Sequence, residues 1–236
     1  MKKKLSIIIP TYNEGKYLPI LLKKINNVNL SKFKLTKEII IVNDGSTDNT
    51  NKILKKFKNI ILINQKNRGK GYAVQVGIKK STGQIILIQD ADLEYDPKDY
   101  INLLKPFFFE KKIAVFGSRY LKKNIFSYNF LKPQKQNYLN FFFNFIISVY
   151  FFLFYKNYIT DLLTGFKVYE KNFFYKNKIN STGFEADHEI TIKLLKNNYK
   201  IVEVPIKYNP RTKSEGKKIN ILDAFKALFI IAKMKI

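Results

Sequence analysis

"LIQDADLEYDP", residues 87–97, leaves an apolar run and then sets a carboxylate at every second position: Asp90, Asp92, Glu94 and Asp96. The run that feeds it, "QIILIQ" (84–89), is continuously apolar through its middle instead of alternating. That is the pattern of a strand buried on both faces, which belongs to a parallel sheet covered by helices. Beyond the acids, "DPKDYINLLKPFF" begins with Asp96 and Pro97, an N-cap and a first-turn proline that open a helix. Strand, acidic turn and helix in this order predict an α/β fold.

The rest of the first half repeats the unit. Strands are predicted at 5–9, 38–42, 60–63 and 113–118, besides 84–89. Helices are predicted at Glu14–Ile25, Asp48–Phe57 and Gly71–Lys80. Ligands of such sheets lie beyond the carboxyl ends of the strands. Three of those ends are polar: "PTYNE" after the first strand, "NDGSTD" after the second and "DADLE" after the fourth. In the second of these, Asp44 can accept hydrogen bonds from a base or ribose, while Ser46, Thr47 and Asp48 suit a helix cap. After residue 120 the pattern changes. "LNFFFNFIISVYFFLFY" (139–155) is almost wholly apolar, with Asn140, Asn144 and Ser148 on one stripe. At 17 residues it falls short of the ~20 that span a bilayer, so a packed or interfacial helix is expected. A helix at Ala186–Asn197, a strand at 200–206 and an amphipathic helix at 221–234 with lysine on its polar side complete the prediction.

The chain has 236 residues, a formal net charge of +25 and only 18 acidic residues against 43 basic ones. Placing four of those acids within seven residues calls for a cation. Two aspartates leaving one strand end are hard oxygen ligands suited to Mg²⁺ or Mn²⁺ shared with substrate phosphates. With no cysteine, disulfides and thiolate metal sites are excluded. The single His188 cannot build a zinc site, and a core or surface role is expected for it. The apolar run at the N-terminus is too short for a signal peptide. Only Arg68, Arg119 and Arg211 are arginine, and a lysine-rich chain keeps arginine where a rigid bidentate fork matters. "NRGKGYAVQVG" (67–77) matches neither the dinucleotide nor the P-loop pattern. It reads as a basic loop opening a helix, suited to an anionic ligand or to no ligand. "PRTKSEGKKI" (210–219) gathers Arg211, Lys213, Lys217 and Lys218, a phosphate-binding cluster or a solvated loop. No nucleic-acid-binding module is present, so no nucleic-acid partner is expected.

Taken together, "IIIPTYNE", "IIIVNDGSTDNT", "NRGKGYAVQVG", "LIQDADLEYDP", "GSRY", "DLLTGFKVY" and "PRTKSEGKKI" resemble a family 2 glycosyltransferase of the GT-A fold. The branch they are most similar to is that of the dolichyl- and polyprenyl-phosphate glucosyl- and mannosyltransferases. The resemblance implies a mostly parallel central sheet flanked by helices, with the C-terminal amphipathic helix appended. It implies one domain over 1–236: a nucleotide-sugar half (1–120), an acceptor half (121–219) and the terminal helix (220–236). Pro10, Tyr12, Glu14 and Asp44 would line the nucleoside site. Asp90 and Asp92, with Ala91 between them and Glu94 beyond, would hold the metal and the donor diphosphate. Arg211 and Lys217 would close over the donor phosphates. Arg119 would meet the acceptor phosphate, with Asp161, Lys135, Glu185 and Glu189 on the acceptor side. Relatives carry a further arginine or histidine between 121 and 138, where this chain offers Lys132 and Lys135. It also lacks the C-terminal membrane pair of many such enzymes. The implied activity is inverting transfer of a hexose from a UDP-glucose- or GDP-mannose-type donor to a polyprenyl or dolichyl phosphate, with Mg²⁺ or Mn²⁺ as cofactor. The expected location is the cytoplasm, peripheral on the cytoplasmic membrane face. Two alternatives are a hydroxyl acceptor on a cell-surface glycan or lipid-linked saccharide, and a non-catalytic basic protein binding membrane or nucleic acid.

Overall fold

The computed structural model describes residues 3–121, 135–211 and 221–235. Its seven strands form one sheet: β1 (Lys3–Thr11), β2 (Leu35–Asp44), β3 (Ile61–Gln65), β4 (Ile85–Ile88), β5 (Ile113–Ser118), β6 (Lys167–Glu170) and β7 (Lys200–Pro205). Their order is β3-β2-β1-β4-β6-β5-β7. The first four strands are mutually parallel, as the continuous apolar runs predict. β5 and β7 also pair in parallel. β6 lies antiparallel between β4 and β5. The sequence pattern did not reveal this strand: it has four residues, and its lysine sits in a fully buried position.

Among the described residues eight helices cover the two faces: α1 (Leu18–Asn27), α2 (Thr50–Leu54), α3 (Lys70–Lys80), α4 (Tyr100–Leu104), α5 (Lys135–Tyr155), α6 (Lys171–Lys176), α7 (Ala186–Lys196) and α8 (Ile221–Lys233). Alternation along β1 divides the core. Ile7 and Ile9 pack with Leu18, Leu21, Ile25 and Leu103 on one side. Ile8 packs with Ile78, Ile147, Phe151, Ile190 and Ile231 on the other. Each fully buried side chain of this kind stabilises the fold by roughly 1.5–3 kcal/mol.

Three helices depart from the predicted bounds for local reasons. α1 starts at Leu18 instead of Glu14, with Pro19 in its first turn and Asn13 upstream in a left-handed conformation. The predicted helix at 96–108 is split. Asp96 caps a tight turn at Pro97–Asp99, accepting from Lys98 N at 3.1 Å. α4 follows, and Pro106, which has no amide proton to continue a helix, leads into another tight turn. α2 has only five residues. The Asp48 carboxylate accepts from Thr50 N at its start, as a capping residue should.

Candidate active site

The carboxyl ends of β1, β2, β4 and β5 meet on one side of the sheet. Pro10 and Thr11 pair with Val42 and Asn43, so Tyr12 and Glu14 leave β1 where Asp44 ends β2. Asn13 stitches the two loops, donating its N–H to Ser46 Oγ and accepting from Thr47 N. Asp44 faces the other way. Its carboxylate accepts from Gln65 Nε2 at 2.6 Å, from Arg68 N at 2.9 Å and from Gly69 N at 2.9 Å. It therefore anchors the 67–71 loop, a structural task beside the ribose contact that the sequence suggests.

β4 delivers the acidic stretch. Gln89 is fully buried. It donates its backbone N–H to Ile8 O, accepts from Tyr100 Oη at 3.0 Å, and donates Nε2 to Asp90 O at 3.0 Å. The backbone that carries Asp90 is thereby fixed to the core. Leu93, at φ 64, turns the chain through a left-handed conformation that non-glycine residues avoid. Ala91 is buried. Glu94 directs its carboxylate to Tyr208 Oη (3.1 Å) and Arg211 N (2.9 Å). It is thus engaged by the 208–211 segment, and the pair left for a cation is Asp90 with Asp92.

Two basic side chains already sit on that pair. Lys70 Nζ lies 2.7 Å from Asp90 Oδ1. Arg211 reaches Asp92 Oδ2 at 3.0 Å and Glu14 Oε2 at 2.9 Å. Burial, with Asp90 and Glu94 close by, pushes Asp92 up to about 7, and Arg211 opposes the shift. Burial acts to lower the Lys70 pKa, but Asp90 and Asp187 hold it above the usual lysine value.

The sequence pattern did not single out Lys70, although the signal lay in its flanking glycines. A Cβ on Gly69 would stand 2.6 Å from Thr182 O, and one on Gly71 would stand 2.4 Å from Ala186 Cβ. Glycine on both sides lets the loop press onto the 182–186 segment. Gly165 completes the fit, since its Cβ would lie 2.3 Å from Asp90 Oδ2 and 2.9 Å from Lys70 Nζ. Behind Lys70 lies a second pair that was missed. Lys167 is fully buried, 3.4 Å from Asp187 Oδ1 and 4.7 Å from the Phe116 ring centre.

Arg119 follows β5 and forms a bidentate pair with Asp161, Nε to Oδ2 and NH2 to Oδ1, each at 2.7 Å. Its backbone N–H adds a bond to Oδ2 at 2.9 Å. Asp161 has no solvent exposure, and Glu203 of β7 holds its loop by accepting from Thr160 N and Asp161 N. Tyr95 joins the clusters, stacked on Phe166 and set beside Tyr208, over which the Arg119 guanidinium rests.

Of the other residues on the predicted acceptor side, Glu185 Oε1 accepts from Gly183 N, and its buried Oε2 has no hydrogen-bond partner. Glu189 stands apart, accepting from Asn180 N, Ser181 N and Lys193 Nζ, and so braces the loop that holds Gly69 and Gly71. Lys135 begins α5, and its side chain lies outside the described residues, as do Lys132, Lys213, Lys217 and Lys218. A cavity of about 780 Å³ lined by Lys3, Phe33 and Phe108 sits at the amino end of β1 and includes none of these site residues.

The donor set fits a divalent cation in one specific way. Among the described residues no group of three His, Cys, Asp or Glu side chains could hold a metal alone. Two carboxylates on one loop could supply a half-site of hard oxygens for a cation whose other ligands would be a diphosphate and water.

The mostly parallel sheet of this order, flanked by helices, is a GT-A fold. The model of the family "Glycosyl transferase family 2" matches residues 6–179. The chain belongs to that family and is a glycosyltransferase. It is similar to the UDP-N-acetylglucosamine–dolichyl-phosphate N-acetylglucosaminyltransferase of Methanococcus voltae, 28% identical over 99% of this chain and 96% of that one. Over 37% of its length it is 42% identical to a dolichyl-phosphate beta-glucosyltransferase of Trichomonas vaginalis, 30% of which is covered. These relatives agree with the polyprenyl-phosphate branch of the family. The glucosyl-3-phosphoglycerate synthase of Mycobacterium tuberculosis, solved with Mn²⁺, UDP and phosphoglyceric acid, shares the fold. Its TM-score is 0.72 at 14% identity, over 99% of this chain and 78% of that one. The same enzyme was also solved with Mg²⁺ and UDP.

Proposed function

We propose that this protein transfers a hexose from a UDP- or GDP-sugar to a polyprenyl or dolichyl phosphate, inverting the anomeric centre. The observation that carries the proposal is the commitment of Asp161. Among the described residues its carboxylate accepts three hydrogen bonds, all from Arg119, so it presents a cation and holds back its own charge. A phosphate acceptor needs that arrangement. Its second pKa is about 6, so it is ionised at neutral pH and requires positioning, not deprotonation. One of its oxygens attacks the anomeric carbon; the bond from that carbon to the donor diphosphate breaks, and the electron pair leaves with the nucleotide. Asp90 and Asp92 would hold Mg²⁺ or Mn²⁺, which when bound neutralises the leaving diphosphate. Arg211 and Lys70 now occupy those carboxylates, so donor and metal entry must draw both away. Pro10, Tyr12, Glu14 and Asp44 would receive the nucleoside, and Lys217 the donor phosphates. Residues 1–236 would act as one catalytic unit on the surface of the membrane that holds the acceptor, on its cytoplasmic face.

The alternative is a hydroxyl acceptor on a glycan or lipid-linked saccharide, which requires a base. Asp161 or Glu185, whose buried Oε2 has no hydrogen-bond partner among the described residues, would then serve. Incubation with radiolabelled UDP-glucose or GDP-mannose, Mn²⁺ and a polyprenyl phosphate should move label into an organic-extractable, acid-labile lipid. Label appearing only in water-soluble glycan would overturn the phosphate acceptor. Asp90→Ala should abolish metal-dependent transfer without unfolding the chain, and full activity in that variant would refute the metal assignment.

A further inference from the structure

α5 packs the wrong way round for a helix of a water-exposed domain. Its polar stripe is inside: Asn144 is 1% exposed and Ser148 0%. Asn144 Nδ2 donates to Thr160 O, pinning the helix to the Asp161 loop. Ile147 and Phe151 are buried beside the stripe, while a second apolar face lies outside, where Phe142 is 56%, Phe145 46%, Phe152 41% and Leu153 59% exposed. α8 packs beside it, joined by Tyr155 Oη donating to Ile231 O. α8 also turns Phe225 and Phe229 outward, 64% and 66% exposed. Lys226 and Lys233 of this helix alternate along the chain with those rings and are exposed. Apolar patches this extensive mark an interaction surface.

We propose that the outward faces of α5 and α8 dock on an anionic lipid bilayer. Charge decides the occupant. α5 contains no acidic residue and α8 one, Asp223, while Lys226 and Lys233 on α8 and Lys156 and Lys235 just past the helix ends are exposed. Three of these ammonium groups lie over the aromatic rings of Phe152, Phe229 and Tyr155. Aromatic side chains interleaved with lysine suit the level of the headgroups, whereas a second copy of the chain would bring the same positive rim and be repelled. Among the described residues no helix is long and apolar enough to cross a membrane, so the contact is lateral. Its position has a purpose. Phe141, at the near end of the described face, packs edge-on against Tyr120, whose ring lies 5.3 Å from the Arg119 guanidinium. A prenyl chain lying in the bilayer would bring its phosphate to Arg119 at the headgroup plane. That last step rests on the proposed function; the docking itself does not.

The test is co-flotation of the full chain with vesicles of phosphatidylcholine alone or mixed with phosphatidylglycerol, at low and high salt. The wild type should float with the mixed vesicles and lose binding in high salt. Each of Lys226→Gln and Lys233→Gln should weaken partitioning about fivefold. The triple variant Phe142→Glu, Leu153→Glu, Phe229→Glu should lose tenfold or more on an order-of-magnitude basis. It should keep the wild-type melting temperature and wild-type transfer to a short-chain, water-soluble prenyl phosphate. A wild type that stays unbound on anionic vesicles overturns the inference. So does a triple variant that floats like the wild type, or light scattering that shows a wild-type dimer broken by the triple change. Persistent vesicle binding with no transfer to any prenyl phosphate would instead refute the acceptor assignment and leave this surface standing.

Discussion

Asp161→Asn separates the two ways a buried aspartate can serve this site. The wild-type carboxylate accepts three bonds from Arg119, at 2.7, 2.7 and 2.9 Å. Asparagine keeps one acceptor oxygen and turns an NH₂ group toward the guanidinium, so one arm of the fork meets a donor instead of an acceptor. The Arg119 charge then stays buried with no counter-charge at contact distance. Breaking a buried pair from one side costs about 3–5 kcal/mol. For a chain of this length each kcal/mol lowers the melting temperature by about 2–4 °C, so a fall of roughly 6–20 °C is expected. Kinetically, the loss should appear as a raised KM for the acceptor phosphate, with donor KM little changed, because Arg119 is misaimed. The assays are a thermal melt and initial rates with the donor and the acceptor varied in turn. A variant that melts like the wild type and keeps its acceptor KM, yet loses kcat by orders of magnitude, would refute the reasoning. Asp161 would then be a base, and the acceptor a hydroxyl.

Gly165→Ala puts a methyl group 2.3 Å from Asp90 Oδ2 and 2.9 Å from Lys70 Nζ; it should part that ion pair and remove most activity, and a variant with wild-type rates would show the contact to be incidental. Nucleotide and metal supplied together at 100 times their Kd should stabilise the wild type by about 2.7 kcal/mol, seen as a raised melting temperature that Asp90→Ala does not share. His188 supplies a pH signature. Burial, with Lys167 adding repulsion, pushes its imidazole down to about 4 from an ordinary 6.5, and its Nδ1 has no partner among the described residues. Between those values the unfolded chain binds the proton and the folded chain does not, so stability falls as pH drops through that window, by about 3 kcal/mol in total. Urea titrations of the wild type and His188→Phe at neutral and acid pH should show the acid loss shrinking in the variant.

How much was legible depends on how far apart the interacting residues lie. The parallel strands are visible because both faces of each are buried, which leaves an uninterrupted apolar run. Asp90 and Asp92 are visible because a strand end and a two-residue spacing are local, and the capping role of Asp96 is visible for the same reason. Lys70 was not, because its meaning is its contact with Asp90 and depends on glycines at 69, 71 and 165 that let separate loops touch. Nothing local shows that Tyr208 and Arg211 hold Glu94, or that the 180–181 backbone holds Glu189.

The sequence by itself determined that this is a doubly covered α/β sheet with paired carboxylates at a strand end, since periodicity and capping act within a few residues. Only the tertiary structure decided that β6 inserts antiparallel between β4 and β5. The same is true of Asp161, which is bound to Arg119 across 42 positions. Most of all, the sequence showed that residues 139–155 have a polar stripe and an apolar side, but not which side faces in. Periodicity defines the two faces of a helix; what packs against it decides which is buried. Here the Asp161 loop took the polar stripe, with Ile147 and Phe151 buried beside it, and left Phe142, Phe145 and Phe152 outside.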